Sequence, residues 1–144
     1  MQLAFLVDFT GKDNEAEKYQ KPELEQRYMQ EFSLERLARL NSQNMPVFVN
    51  IYADWCTTCK INNALIFSSK EIEDFFAENG ITMLKGDFTE FNSEIAQWMS
   101  DFRRTGVPVY AYYHSAKDYS NPLFFPEILT AQTIIKKISD TYLK

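Results

Sequence analysis

The segment that most restricts the fold is Val47-Phe48-Val49-Asn50-Ile51-Tyr52-Ala53, followed two residues later by Cys56-Thr57-Thr58-Cys59. The run is β-branched and aromatic, apolar on both faces, and too short for a good helix. Such a run reads as a central strand covered on both sides. The stretch from Cys59 to Ile66 reads as helical, so the two thiols stand where a strand gives way to a helix. A strand buried on both faces needs helices above and below it, which makes the chain an α/β domain with a mixed sheet.

The remaining elements fit that plan. Ser33 caps a helix through about Asn41, with Phe32 and Leu37 as its hydrophobic staple. Ser68 with Glu71 reads as a capping box, Phe67 with Ile72 as its staple, and Asn79-Gly80 as the stop. Ile81 to Lys85 is a second strand. Ile95, Trp98, Met99 and Phe102 form an amphipathic stripe. Gly106-Val107-Pro108 leads into a third strand, Val109 to Tyr113. His114 to Asn121 is a polar turn, and Leu123-Phe124-Phe125 a short fourth strand. Thr130 caps a last helix with the stripe Ile134, Ile135 and Ile138. The order α, β, α, β, α, β, β, α calls for a parallel pair joined by a crossover, then a closing hairpin. Residues 1–31 read as an N-terminal arm, polar and charged from residue 9, and residues 32–144 as the folded domain.

Charge and length exclude several functions. Fifteen basic against twenty acidic residues give a net charge of −5, which disfavours both nucleic acid and an anionic membrane surface. No segment reaches the roughly 18 apolar residues of a spanning helix. The start, Met1 to Asp8, lacks the basic region of a signal peptide. The chain thus reads as either cytosolic or a piece of a longer protein.

Cys56 and Cys59 are the only cysteines. A closed zinc site needs four ligands, and beyond these thiols the only histidine is His114, which reads as a turn residue without a catalytic role. At a helix start, unpaired N–H groups and the helix dipole favour thiolate at Cys56, lowering its pKa below about 8.5. Cys59 lies one turn deeper, within reach of the first sulfur. That asymmetry suits dithiol exchange, in which an outer thiolate attacks a disulfide and an inner thiol resolves the product. Trp55 reads either as a core aromatic or as an apolar platform beside the sulfur. Pro108 reads either as a strand-opening residue on a sheet edge or as a cis-proline loop facing the cysteines, whose backbone pairs with a substrate segment.

Tyr52-Ala53-Asp54-Trp55-Cys56-Thr57-Thr58-Cys59-Lys60 resembles the thioredoxin superfamily. More narrowly it is similar to the C-terminal thioredoxin-like domain of the DsbD/ScsB group of membrane thiol:disulfide interchange proteins. Phe32 to Leu37, Pro46 to Val49, Gly106 to Pro108 and Pro126 to Thr130 extend the likeness over residues 32–143. The resemblance implies a thioredoxin-like fold in a domain outside the cytoplasmic membrane. It would take electrons from a membrane-embedded carrier and reduce extracytoplasmic protein disulfides. Cys56 would be the nucleophile, Cys59 the resolving thiol and Pro108 the cis-proline. No cofactor beyond the cysteine pair is expected, no nucleic acid, and a monomeric state. The membrane part would precede this chain, with Leu3 to Val7 the tail of a spanning helix.

Two positions depart from that group. The buried acid six residues before the first cysteine is Asn50 here, and a second acid seven residues after it is Asn63. A carboxylate at either place would serve as base for Cys59 and oppose ionisation of the pair; amides remove both effects. Two other readings use the same residues. One is a binding module holding Cu(I) on the soft thiol pair, though the nearest methionines in sequence are Met45 and Met83. The other is an oxidase or isomerase of the same fold.

Overall fold

The computed structural model describes residues 28–143. Five strands form one sheet in the order β1-β3-β2-β4-β5. They are β1 (Met29–Glu31), β2 (Val47–Tyr52), β3 (Thr82–Asp87), β4 (Val109–Tyr113) and β5 (Leu123–Phe125). β3 runs parallel to both β1 and β2, whereas β4 is antiparallel to β2 and β5. The helices are α1 (Leu34–Ser42), α2 (Thr57–Asn62), α3 (Lys70–Glu78), α4 (Ser93–Asp101) and α5 (Ala131–Tyr142). This is the thioredoxin-like α/β arrangement expected from the sequence.

The alternation of β2 separates the two halves of the core. Val47, Val49 and Ile51 pack with Leu37 and Leu40 of α1 and with Ile95, Trp98 and Met99 of α4. Phe48 points to the other face, among Phe67, Phe76, Ile134 and Ile138. Four rings, from Phe67, Phe76, Tyr110 and Phe125, lie within 6.3 Å of the Phe48 ring centre.

The structure differs from the sequence reading in three places. Met29 to Glu31, assigned to the arm, form an edge strand paired with Met83 to Lys85. Residues 1–27 of the arm, including Leu3 to Val7, lie outside the described residues. The second expected helix is divided. A π-helical turn, Asn63–Phe67, follows α2, and Ser68 spends its hydroxyl closing that turn by donating to the Asn63 carbonyl. Ser69, not Ser68, therefore caps α3. The strand expected over 81–85 begins one residue later and continues to Asp87. Gly86 permits this, because a Cβ there would come within 2.5 Å of the Ile51 side chain.

Three helices end in the same motif, in which a left-handed residue follows the cap and two N–H groups return to the last turn. Asn44, Gly80 and Arg103 occupy the left-handed position, at φ 58°, 64° and 58°. Asn and Gly are the residues this conformation favours; an arginine there is strained. Arg103→Gly should raise the unfolding free energy by about 0.5–1 kcal/mol, measured by urea denaturation. No gain would show that Arg103 makes compensating contacts.

Burial pushes the phenols of Tyr110, Tyr112 and Tyr113 above their ordinary value, outweighing the hydrogen bonds donated to Tyr110 by Asn62 and to Tyr113 by Trp98. The unfolded chain gives up these protons near pH 10 while the folded chain keeps them, so stability is present below pH 10 and falls above it. The expected slope approaches about 1.4 kcal/mol per pH unit for each tyrosine held neutral. Urea titrations at successive alkaline pH values, with Tyr112→Phe as comparison, test it. An identical slope in the variant would remove Tyr112 as a contributor.

Candidate functional site

The site forms where β2 ends. Antiparallel pairing of Ile51 with Val109 brings the start of β4, and the loop before it, beside the residues that follow β2. The chain turns at Ala53, whose carbonyl accepts from the Cys56 N–H at 3.1 Å. Cys56 is then the N-cap of α2. Its sulfur accepts the Cys59 backbone N–H at 3.1 Å, so one unpaired donor of the helix start is aimed at it.

Cys56 and Cys59 are joined as a disulfide, with Cα atoms 5.2 Å apart. Cys56 is 8% exposed and Cys59 0%. The more accessible sulfur is thus the first, and the second lies under the helical turn. Val107 and Tyr52 pack against the pair together with Ala53. The Val107–Pro108 peptide is cis, and Pro108 is buried. Pro108 leads directly into β4, which lies between β2 and β5, so it opens a strand but not one on the sheet edge, and the cis peptide with Val107 against the pair is the geometry of the loop reading.

Trp55 is 64% exposed, which removes the core reading. It is nonetheless fastened, because its indole N–H donates to the Thr89 carbonyl at 3.0 Å. The Asp54 N–H donates to Thr89 Oγ1, and Thr89 in turn donates to Asp87 at the end of β3. Thr89 was not legible as a site residue, since the loop after β3 carries no motif. Its role follows from the β2–β3 register, which ends with Tyr52 opposite Asp87.

Asn50 and Asn63 meet. Asn50 is fully buried on the Phe48 side of β2 and donates Nδ2 to Asn63 Oδ1 at 3.0 Å. Asn50 Oδ1 is buried without a hydrogen-bond partner among the described residues. Asn63 stands four residues after Cys59, at the start of the π-helical turn. The amide pair thus joins β2 to the first residue of that turn, which follows α2.

His114 lies at the far end of β4, where Tyr113 pairs with Val47. Its Nδ1 shares a hydrogen bond with the Tyr112 hydroxyl, and its ring stacks on Tyr142. It takes no part in the site. Among the described residues, no group of three or more His, Cys, Asp or Glu side chains is placed to hold a metal ion.

A family model described as thioredoxin-like matches residues 28–115, which include the cysteine pair and the cis-proline. The chain belongs to the thioredoxin-like family. It is 31% identical over 74 residues to the thiol:disulfide interchange protein DsbD of Yersinia pestis. That stretch covers 51% of this chain and 12% of the relative. Against DsbD of Campylobacter jejuni the identity is 27% over 99 residues, covering 69% of this chain and 17% of the relative. The chain thus spans less than a fifth of the length of these relatives. The oxidised C-terminal domain of Neisseria meningitidis DsbD superposes with a TM-score of 0.56 at 16% identity, covering 86% of this chain and 94% of that domain. A solved DsbH oxidoreductase superposes at 0.59 with 19% identity, covering 81% and 86%. At such identities the superpositions establish the fold. The thioredoxin-like domain is accordingly a CxxC protein similar to thiol:disulfide interchange proteins. No helix among its described residues is long and apolar enough to cross a membrane.

Proposed function

We propose that this domain is a thiol–disulfide oxidoreductase that works as a reductant. It passes electrons from a membrane-embedded carrier to extracytoplasmic protein disulfides, as a periplasmic domain of an inner-membrane protein. The observation that carries the reading is the unequal burial of two sulfurs within bonding distance beside a cis-proline loop.

The chemistry follows from the positions. In the reduced form the Cys59 N–H stabilises the Cys56 thiolate, and the amide pair adds no negative charge to oppose it. The Cys56 thiolate attacks one sulfur of a partner disulfide, forming a mixed disulfide and releasing one partner thiolate. The Cys59 thiolate then attacks Cys56, which re-forms the Cys56–Cys59 bond and releases the second partner thiolate. The partner gains two electrons and the domain loses two. The reaction draws on the cysteine pair without a metal or other cofactor.

Trp55 is the fixed apolar platform on which the partner chain rests, held there by Thr89. Val107 and Pro108 present backbone beside the sulfurs, where an extended partner segment can pair. Asn50 and Asn63 carry no charge and supply no general base, so the Cys59 proton leaves to solvent or to the departing partner thiolate.

The test is the reduction potential of the Cys56–Cys59 couple, equilibrated against glutathione and dithiothreitol. A value toward the thioredoxin end of the range, about −270 mV, is expected; one near the oxidant end, about −120 mV, would overturn the direction. DsbD-type carriers as donors and a periplasmic address are supported by the similarity to DsbD and are tested by fractionating cells that express the full-length protein.

A further inference from the structure

Two cavities lie on opposite sides of the β2 end, one toward β3 and one toward β4, and they differ in charge. On the β3 side a shallow cavity is lined by Asp54, Asp87, Glu90 and the exposed Phe91. On the β4 side lies a groove of about 790 Å³, whose lining includes Thr58, Arg103, Arg104, Pro108, Glu127 and Ile128. Thr58 lies between the two cysteines and Pro108 is the cis-proline, so this groove adjoins the redox site.

We propose that the β4-side groove docks an acidic stretch of the partner chain next to its reactive cysteine, and that Arg103 and Arg104 read its carboxylates. The proposal rests on the oxidoreductase reading above and adds the class of segment that the site prefers.

Three observations support it. The first is charge left uncompensated. Both guanidinium groups are exposed, and neither forms an ion pair with a carboxylate among the described residues. The Arg104 guanidinium rests over the Phe124 ring at 4.0 Å, which fixes its plane and leaves its edge free to donate. In a chain of net charge −5, two adjacent arginines without an ion pair outweigh the one carboxylate of the groove, Glu127, and make a local inversion of sign.

The second observation is the backbone. Arg103 holds a left-handed position that Asn44 and Gly80 fill at the ends of the other two helices of this type. The fold alone favours Gly or Asn there, so the arginine side chain is explained by a use outside the fold.

The third is the geometry across the sulfur. Three acids on one side, and two arginines against the single carboxylate of Glu127 on the other, make a field across this end of β2, which orients a partner segment with its acidic end over the groove. Ile128, 86% exposed at the groove, offers the apolar contact that such a segment needs.

The experiment uses the full chain reduced with dithiothreitol and then desalted. Its substrates are three symmetrical disulfide-linked peptides that differ only in a pair of residues beside the cysteine: Glu-Glu, Gln-Gln or Lys-Lys. Neutral hydroxyethyl disulfide reports exchange as such. At low salt the Glu peptide should be reduced about fivefold faster than the Gln peptide, and the Lys peptide more slowly than either. The spread should shrink as sodium chloride approaches the concentration where the screening length is about 8–10 Å.

Arg103→Glu combined with Arg104→Glu should reverse the order, whereas Arg103→Lys combined with Arg104→Lys should keep it. Arg39→Glu, an exposed arginine on α1, serves with Arg103→Glu as a matched pair of equal charge change; only the latter should shrink the spread. Equal rates for the three peptides, or an order unchanged by charge reversal at the groove, would overturn the proposal while leaving the oxidoreductase reading intact. Failure of the unmodified chain to reduce hydroxyethyl disulfide or any peptide would overturn both.

Discussion

Cys59→Ser is expected to accumulate a mixed disulfide with a partner, while Cys56→Ser accumulates little and loses turnover by roughly a thousandfold or more. The expectation follows from which sulfur a partner can reach. Cys56 keeps some exposure at the helix start, and Cys59 has none. With Cys59 replaced, the attacking thiolate and its N–H donor survive, since that donor is backbone. Only the second displacement is lost, so the covalent partner stays bound. With Cys56 replaced, the remaining thiol is enclosed by the turn and by Val107, and no partner disulfide approaches it. The measurement is non-reducing electrophoresis of the two variants after incubation with a disulfide-bonded protein, together with alkylation of the reduced unmodified chain against pH. Alkylation of Cys59 before Cys56, or a trapped adduct in Cys56→Ser, would exchange the two roles.

Why the pair was legible from sequence is physical. The strand, the turn and the helix start are contiguous, so local composition determines them. A run apolar on both faces has to be central, and a helix that begins at its end has to leave N–H groups pointing at the first thiol. The cap at Ser69 was misplaced by one residue because two serines stand together, and the π-helical turn Asn63–Phe67 recruits the first. Periodicity carries no sign of such a turn. β1 was missed for a different reason. Three residues without alternation give no strand signal, and the partner that makes Met29–Glu31 a strand lies more than fifty positions on.

The site divides the same way. Cys56, Cys59 and Pro108 were read from spacing and from resemblance, and the register of β2 with β4 places Val107 against the pair. Trp55 stood between two readings because sequence does not say whether a ring beside a turn is covered. Its indole is held outward by a carbonyl of a loop thirty-four residues away. The arginines at the groove were invisible for want of that third dimension, since a helix end in sequence gives no hint of what it faces.

Asn50→Asp is the variant that reaches the electrostatics of the pair, and two effects are expected from it. The first is on stability. Position 50 is fully buried, and among the described residues the only hydrogen bond it makes to a side-chain oxygen or nitrogen is to Asn63, which can turn its amide to donate to a carboxylate. One such bond does not replace lost hydration, so burial raises the carboxyl pKa above its unfolded value. The penalty is absent below the unfolded value of about 4. It grows as pH rises above it and levels off once the carboxyl ionises in the folded state, at about 3 kcal/mol or more.

The second effect is on reactivity. A carboxylate at position 50, on the strand that leads to Cys56 and bonded to Asn63 four residues after Cys59, is expected to oppose the thiolate at Cys56. The Cys56 pKa should rise, slowing alkylation near pH 7 by about tenfold for each unit of rise. The introduced carboxylate would also offer Cys59 a base, so the resolving step should gain while the attacking step loses. Alkylation rates of the reduced variant against pH, with urea denaturation at the same pH values, read both effects. An unchanged alkylation profile would mean that the amide pair does not govern the thiolate, and a stability independent of pH would mean that the new carboxyl escapes burial.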